Sequence, residues 1–283
     1  MTDFETLIDV DTLAEHQSQA DWIVLDCRFD LAHPGWGAEE FARGHVPRAQ
    51  YADLDHDLAG PVGPMTGRHP LPTVAHFSAR ASAWSIDESV QVVAYDQGSG
   101  MFAARAWWLF QWLGHPAVAV LDGGYAAWCA AGYAVTADVP NRSPRRFVPQ
   151  PDAARVADAA EVQMKLARGD IDLIDARAAD RFAGQNETID PIAGHIPGAS
   201  NHPFSSNLGG DGRFLSREKL VQRWHDALGG RPAGHSVAMC GSGVSACHNL
   251  LALEHAGLPG ARLYAGSWSE WIRDPARPVA TGA

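Results

Sequence analysis

Four short segments recur in the same order in the two halves of this chain, and that duplication limits the fold more than any other feature. Val24-Leu25-Asp26-Cys27-Arg28 returns as Leu173-Ile174-Asp175-Ala176-Arg177, and Gly44-His45-Val46-Pro47 returns as Gly194-His195-Ile196-Pro197. Val92-Val93-Ala94-Tyr95-Asp96 is matched by Ser236-Val237-Ala238-Met239-Cys240, and Gly123-Gly124-Tyr125-Ala126-Ala127-Trp128 by Gly266-Ser267-Trp268-Ser269-Glu270-Trp271. Asp26 pairs with Asp175, Asp96 with Cys240 and Trp128 with Trp271, so the offset drifts from 149 through 144 to 143 residues. A repeat this long makes each copy a domain rather than one turn of a solenoid. The 283 residues suffice for two domains that each bury a core.

Each copy alternates short β-branched runs (Trp22 to Leu25, Val90 to Ala94, Ala117 to Leu121) with helical stretches such as the Trp-rich Ala103 to Leu113. Such alternation implies an α/β fold of βαβ units, a mostly parallel sheet flanked by helices in each domain. The first domain is expected over residues 1–137 and the second over 153–283, with 138–152 as linker. Three prolines and several charges between Asp138 and Pro149 cannot continue a helix or a central strand.

Composition excludes several classes of function. Hydrophobic residues make up 46% and charged residues 19%, a folded profile rather than a disordered one. A net charge of −11 argues against a nucleic-acid partner, because phosphate binding wants a basic face. The N-terminus, Met1-Thr2-Asp3-Phe4-Glu5, lacks the basic-then-apolar pattern of a signal peptide. No apolar run approaches the roughly 20 residues that a membrane span needs, so no membrane association is expected. Cys27, Cys129, Cys240 and Cys247 have the spacing of neither a disulfide framework nor a zinc site. A cytoplasmic location and the absence of metal and organic cofactor are the expectations.

Cys240 closes the apolar run Ser236 to Met239, and Gly241-Ser242-Gly243-Val244-Ser245 leads from it into a helical pattern that Gly257 ends. A free cysteine is most often a buried structural thiol. Here the glycines permit a tight turn whose N–H groups form an anion nest at a helix start, which favours a thiolate nucleophile. Cys247, two turns into the helix among apolar neighbours, reads as structural. The first copy has Asp96 at the matching place, and a carboxylate cannot do soft sulfur chemistry, so that domain is expected to be catalytically silent. A cysteine phosphatase would need an arginine six residues after its nucleophile to clamp phosphate. That residue is Ala246.

Cys240-Gly241-Ser242-Gly243-Val244-Ser245-Ala246-Cys247-His248 resembles the active-site signature of the tandem-domain rhodanese family, in its 3-mercaptopyruvate sulfurtransferase branch. The likeness extends to Asp26-Cys27-Arg28, both Gly-His-(Val/Ile)-Pro segments and the closing Tyr264-Ala265-Gly266-Ser267-Trp268-Ser269-Glu270-Trp271. Ser245 stands where the family usually has threonine. The resemblance implies catalysis by Cys240, Ser242, Asp55 and His69, and binding of the donor by Arg181, Gly241, Gly243, Val244 and Ser245. Taken alone, Asp55 reads as part of a solvated acidic run, His69 as a loop histidine beside prolines, and Arg181 as a surface ion pair. A second arginine that mammalian members carry has no counterpart in Gln185 to Pro191, and Arg105 is the candidate substitute. His45 and His195 recur in both copies, the silent one included, so a role in the fold suits them better.

The expected activity is transfer of sulfur from 3-mercaptopyruvate through a Cys240 persulfide to a thiol such as thioredoxin, or to cyanide, in a ping-pong cycle. Thiosulfate-specific members place basic residues directly after the cysteine. Gly241 and Ser242 are neutral, which favours the smaller monoanionic donor. The alternatives are a thiosulfate:cyanide sulfurtransferase and a sulfur-carrier or redox-sensing module without fast turnover.

Overall fold

The computed structural model describes residues 4–282; Met1 to Asp3, part of the acidic N-terminus, and Ala283 lie outside the described residues. Two compact units form. Among the described residues the first comprises 4–60, 71–152 and 210–214, and the second 61–70, 153–209 and 215–282.

The first unit is built on five strands, β1 (Leu7–Ile8), β2 (Trp22–Asp26), β3 (Gln50–Tyr51), β4 (Gln91–Tyr95) and β5 (Val118–Leu121). They lie side by side in the order β1-β5-β4-β2-β3, every pair parallel. Parallel neighbours need crossovers, and helices supply them. The helix Ala103–Trp112 is buried at every position except Gln111, so its Trp107, Trp108 and Trp112 are core rather than surface. Beneath the other face, Val24, Val93, Tyr95 and Leu121 pack with Leu13, Phe41 and Trp128.

The second unit repeats the plan with β6 (Asp172–Asp175), β7 (Ser200–Asn201), β8 (Ser236–Met239) and β9 (Arg262–Leu263), ordered β7-β6-β8-β9 and again all parallel. Where the first sheet has β1 beside β5, the second keeps only a single bridge from Val156 to Leu263. Leu173, Val237 and Met239 meet Val162, Ile196, Trp268 and Trp271 in its core.

The recurring motifs do the same structural work twice. Arg28 donates to the Asp26 carboxylate and to the Gly44 carbonyl at 2.8 Å; Arg177 donates likewise to Asp175 and, at 2.8 Å, to Gly194. His45 stacks on Phe41 and gives its Nδ1–H to the Phe41 carbonyl, as His195 does with Phe182. These pairs fasten the strand-to-helix turns of both units.

Two stretches sit differently from the boundaries drawn on the sequence. Residues 138–152, read as a linker, are laid along the first unit: Phe147 is buried, Arg145 N–H bonds the Ser82 carbonyl, and Gln150 N–H bonds Leu113. Residues 61–70 belong by their contacts to the second unit, although a boundary at 137 assigns them to the first. Among the described residues no helix is long and apolar enough to cross a membrane.

Candidate active site

Strand β8 ends at Met239, and the chain then turns through Cys240 to Val244 before the helix Ser245–His255 begins. Three hydrogen bonds donated by backbone N–H groups hold the turn. Cys240 N–H donates to Ser267 Oγ at 3.1 Å, Trp268 N–H to the Cys240 carbonyl at 3.0 Å, and Ser269 N–H to the Gly241 carbonyl at 2.9 Å. The closing Gly266-to-Trp271 motif therefore serves as the clamp of the loop. Ser267 accepts a left-handed φ of 54° to reach it, a strained conformation for a residue with a side chain. Gly243 has φ 78°, and a Cβ there would lie 2.3 Å from the Ala265 carbonyl oxygen, so only glycine fits.

Within this turn Gly243 N–H points at Cys240 Sγ, 3.1 Å away. A fixed donor at that distance is placed to stabilise negative charge that develops there in a reaction. The side chain is 2% exposed, which removes competing water and strengthens the bond. Val244 stands at the helix N-terminus and Ser245 opens the helix. Cys247 Sγ donates back to the Gly243 carbonyl at 3.3 Å, so this buried thiol braces the loop from behind.

Ser242 is turned toward His69, and its Oγ and the imidazole Nδ1 share a hydrogen bond of 2.7 Å. Both side chains are buried. His69 reaches this position on the 61–70 segment, anchored where Arg68 N–H donates to Ser269 Oγ at 3.1 Å. A serine on the cysteine's own turn, bonded to an imidazole, is a pair able to pass a proton close to the thiol.

Arg181 lies near the loop but is not alone. Its Nε and Nη2 grip Glu187 in a two-pronged pair, and Nη2 also bonds Asp190 Oδ2 at 3.2 Å. Asp190 Oδ1 in turn accepts from Arg68 Nη1. Burial pushes the Glu187 carboxyl up, but hydrogen bonds from Arg181 and from the Asp190 and Ile189 N–H groups outweigh it and leave it below the usual range. For Asp190 burial wins over the arginines, and its carboxyl lies above the usual range.

The structure thus gathers Cys240, Gly241, Ser242, Gly243, Val244, Ser245, His69 and Arg181 in the second unit. Asp55 and Arg105 belong to the first. Asp55 sits in a turn where its N–H bonds Asp53 Oδ1 at 2.8 Å. Arg105 is fully buried in its helix and donates Nε–H to the Leu58 carbonyl, a bond inside its own unit. Sequence reasoning missed Arg68, Glu187 and Asp190. The only available signal was Arg68 preceding His69, because 122 residues separate it from Asp190.

In the first unit the equivalent loop holds a different group. Asp96 Oδ1 accepts N–H bonds from Gly98 and Gly100, and Oδ2 one from Phe102, each at 2.9 Å. The nest is filled by the chain's own carboxyl.

The rhodanese-like domain model matches twice, over residues 9–131 and 158–274. A Pseudomonas aeruginosa protein named as a probable 3-mercaptopyruvate sulfurtransferase is 54% identical, over 98% of both chains. A Mycobacterium tuberculosis protein named as a putative thiosulfate sulfurtransferase, SseB, is 38% identical over 92% of this chain and 90% of its own. Among solved structures, the 3-mercaptopyruvate sulfurtransferase from Leishmania major superposes with a TM-score of 0.84 at 32% identity, covering 96% of this chain and 76% of that one. With both repeats matched and full-length relatives well above the level at which kinship is in question, the chain belongs to the rhodanese family, as a member with two domains in tandem.

Proposed function

We propose that this protein is a sulfurtransferase whose donor is 3-mercaptopyruvate and whose sulfur carrier is Cys240. The observation that carries the reading is a buried cysteine sulfur facing the Gly243 N–H, with Ser242 of the same turn hydrogen-bonded to His69. Its well-matched relatives of that name support the choice of donor.

In the first half-reaction the Cys240 sulfur forms a bond to the donor's sulfur. The carbon–sulfur bond of the donor breaks, and its electron pair passes to carbon. The proton of the donor thiol travels through Ser242 and His69 to that carbon, so pyruvate leaves and Cys240 holds a persulfide. Asp55 is the third member of this relay in our reading, orienting the imidazole. Gly241, Gly243, Val244 and Ser245 supply the backbone cradle for the carried sulfur, and Arg181 the charge for the donor. In the second half-reaction a thiol such as thioredoxin, or cyanide, attacks the outer sulfur and restores the Cys240 thiolate. The reading includes work in a reducing cytoplasm, where a thiol nucleophile is kept free.

The test is pyruvate release from 3-mercaptopyruvate with a thiol acceptor. Wild type turns over many times and prefers this donor to thiosulfate in kcat/KM; Cys240→Ser folds normally and releases none. Turnover by that variant overturns the assignment of the nucleophile. A preference for thiosulfate overturns the assignment of the donor. A single equivalent of pyruvate per protein would identify a carrier instead.

A further inference from the structure

The first unit lacks a nucleophile, yet a cavity of about 400 Å³ opens beside its Asp96 loop. Small-molecule sites run from roughly 300 to 1,000 Å³. The Asp96 carboxyl fills the nest itself, so the open space is the part next to it. One wall is a face of the helix Gly124–Ala130, with Ala126, Ala127 and Ala130 at helical spacing. Gly98 borders that wall, and even a Cβ on it would meet nothing nearer than 3.9 Å.

The charged rim comes from a distant part of the sequence. Asp211 and Arg213 line the cavity on the 210–214 segment, which belongs to the first unit by its contacts. Phe214 N–H fastens the segment by donating to Asp122 Oδ1 at 2.8 Å. The Arg213 stem lies over Gly123, where a Cβ would sit 3.2 Å from Arg213 Cγ and 2.7 Å from the Ala127 Cβ at a φ of 80°, so glycine is required. Gly212-Arg213 repeats Gly67-Arg68, and a Cβ on Gly67 would lie 2.5 Å from the carbonyl oxygen of Gly266, the counterpart of Gly123. The same short arm is therefore seated at the same place in both units, which makes its position in the first a built feature. Asp211 Oδ1 accepts Arg213 N–H at 3.2 Å and fixes the turn. Among the described residues the half-buried Arg213 guanidinium has neither a hydrogen bond nor an ion pair.

One cation and one anion, two residues apart on one turn, thus border a cavity with an alanine wall. A lone carboxylate would face Asp211, and a lone amine would face Arg213. A zwitterion meets both, because its carboxylate and ammonium are attached to one carbon. We propose that this cavity binds a free α-amino acid with an unbranched apolar side chain. Its carboxylate lies on Arg213, its ammonium on Asp211 and its side chain along Ala126, Ala127 and Ala130. The site takes no part in the sulfur chemistry of the second unit and does not depend on it.

The experiment follows the alanine methyl signals of the full chain by NMR during titration with L-norleucine, hexanoate or pentylamine. Norleucine should move the signals of Ala126, Ala127 and Ala130 and saturate, with a Kd on the order of 1 mM. Hexanoate and pentylamine each lack one charged contact and should bind about 10-fold more weakly or worse. Arg213→Gln should weaken norleucine by a similar factor and leave pentylamine unchanged; Asp211→Asn should weaken norleucine and leave hexanoate no worse. Ala126→Leu, at an exposed helix position, should fill the cavity and abolish the shifts while the melting temperature holds. Signals that do not saturate by about ten times the expected Kd would overturn the site. Shifts that persist in Ala126→Leu would do the same, and equal affinity for hexanoate would overturn the choice of a zwitterion. The readout is binding alone, so it stands whatever sulfur donor the second unit uses.

Discussion

In the first unit the loop after β4 closes around a carboxyl; in the second the loop after β8 closes around a sulfur. Both follow a central parallel strand and lead into a helix. The helix starts seven residues after Asp96, at Ala103, but five after Cys240, at Ser245. The longer loop brings three N–H groups onto Asp96, whereas Gly243 N–H faces Cys240. A nest satisfied from within has no capacity for a ligand, and one that meets a polarisable sulfur can exchange what that sulfur carries. The second unit also places its charges outside the loop, on Arg68, Arg181, Glu187 and Asp190, where the first puts one inside.

The contrast can be broken at several points. The largest effect is expected at the proton relay: His69→Asn and Ser242→Ala should each lower kcat by about 100-fold or more, as for loss of a positioned acid–base group. Because the two share one bond, the double variant should be little worse than either single one. Additive losses in pyruvate release would show that they act separately.

A steric comparison comes next. Gly243→Ala drives a Cβ onto the Ala265 carbonyl at a left-handed φ and should cost roughly 2–4 kcal/mol, with loss of activity. Gly98→Ala, in the first loop, meets nothing nearer than 3.9 Å and should fall within about 0.5 kcal/mol of wild type in urea unfolding. Equal costs would mean that the loops are equally tight.

Asp96→Asn leaves one of the carboxyl's N–H partners unmatched and should cost about 1–3 kcal/mol with sulfur transfer unaffected. Reduced kcat would show that the first unit is not silent.

The smallest signal is a difference in pH dependence between two buried acids. Burial holds the Asp96 carboxyl above its ordinary 3.8, against the N–H bonds of Gly100, Gly98 and Phe102. Its protonation therefore favours the folded state. The cost of Asp96→Asn should be greatest in acid and shrink as pH rises through the folded-state pKa. Glu187 lies below its ordinary 4.5, so the stability it lends is present above that pH and lost as pH falls. The cost of Glu187→Gln should be greatest at neutral pH and shrink in acid. Parallel trends in unfolding series from pH 3 to 7 would refute this contrast.

The legible part of this molecule was the part written locally. The parallel sheets follow from runs of four or five apolar residues, and the Cys240 turn from glycines adjacent to the cysteine. The duplication added a control, since a residue present in both copies, such as His45 and His195, has structural work that needs no catalysis. His69 was reached through family resemblance alone, because nothing in spacing announces a bond to Ser242 across 173 residues. Arg68 and Asp190 stayed hidden for the same reason, and Glu187 was seen only as the absence of an arginine. The proline-rich stretch after Asp138 read as a tether from composition, yet the ring of Phe147 and the backbone bonds of Arg145 and Gln150 tie it down.

The assignment of residues 61–70 to the second unit has a consequence for how this chain can be divided. Cutting the gene at its internal symmetry would yield a C-terminal product without the histidine that bonds Ser242 and without the arginine beside it that bonds Ser269 and Asp190. On the function proposed above, that product would keep its cysteine loop and lose the imidazole of its relay.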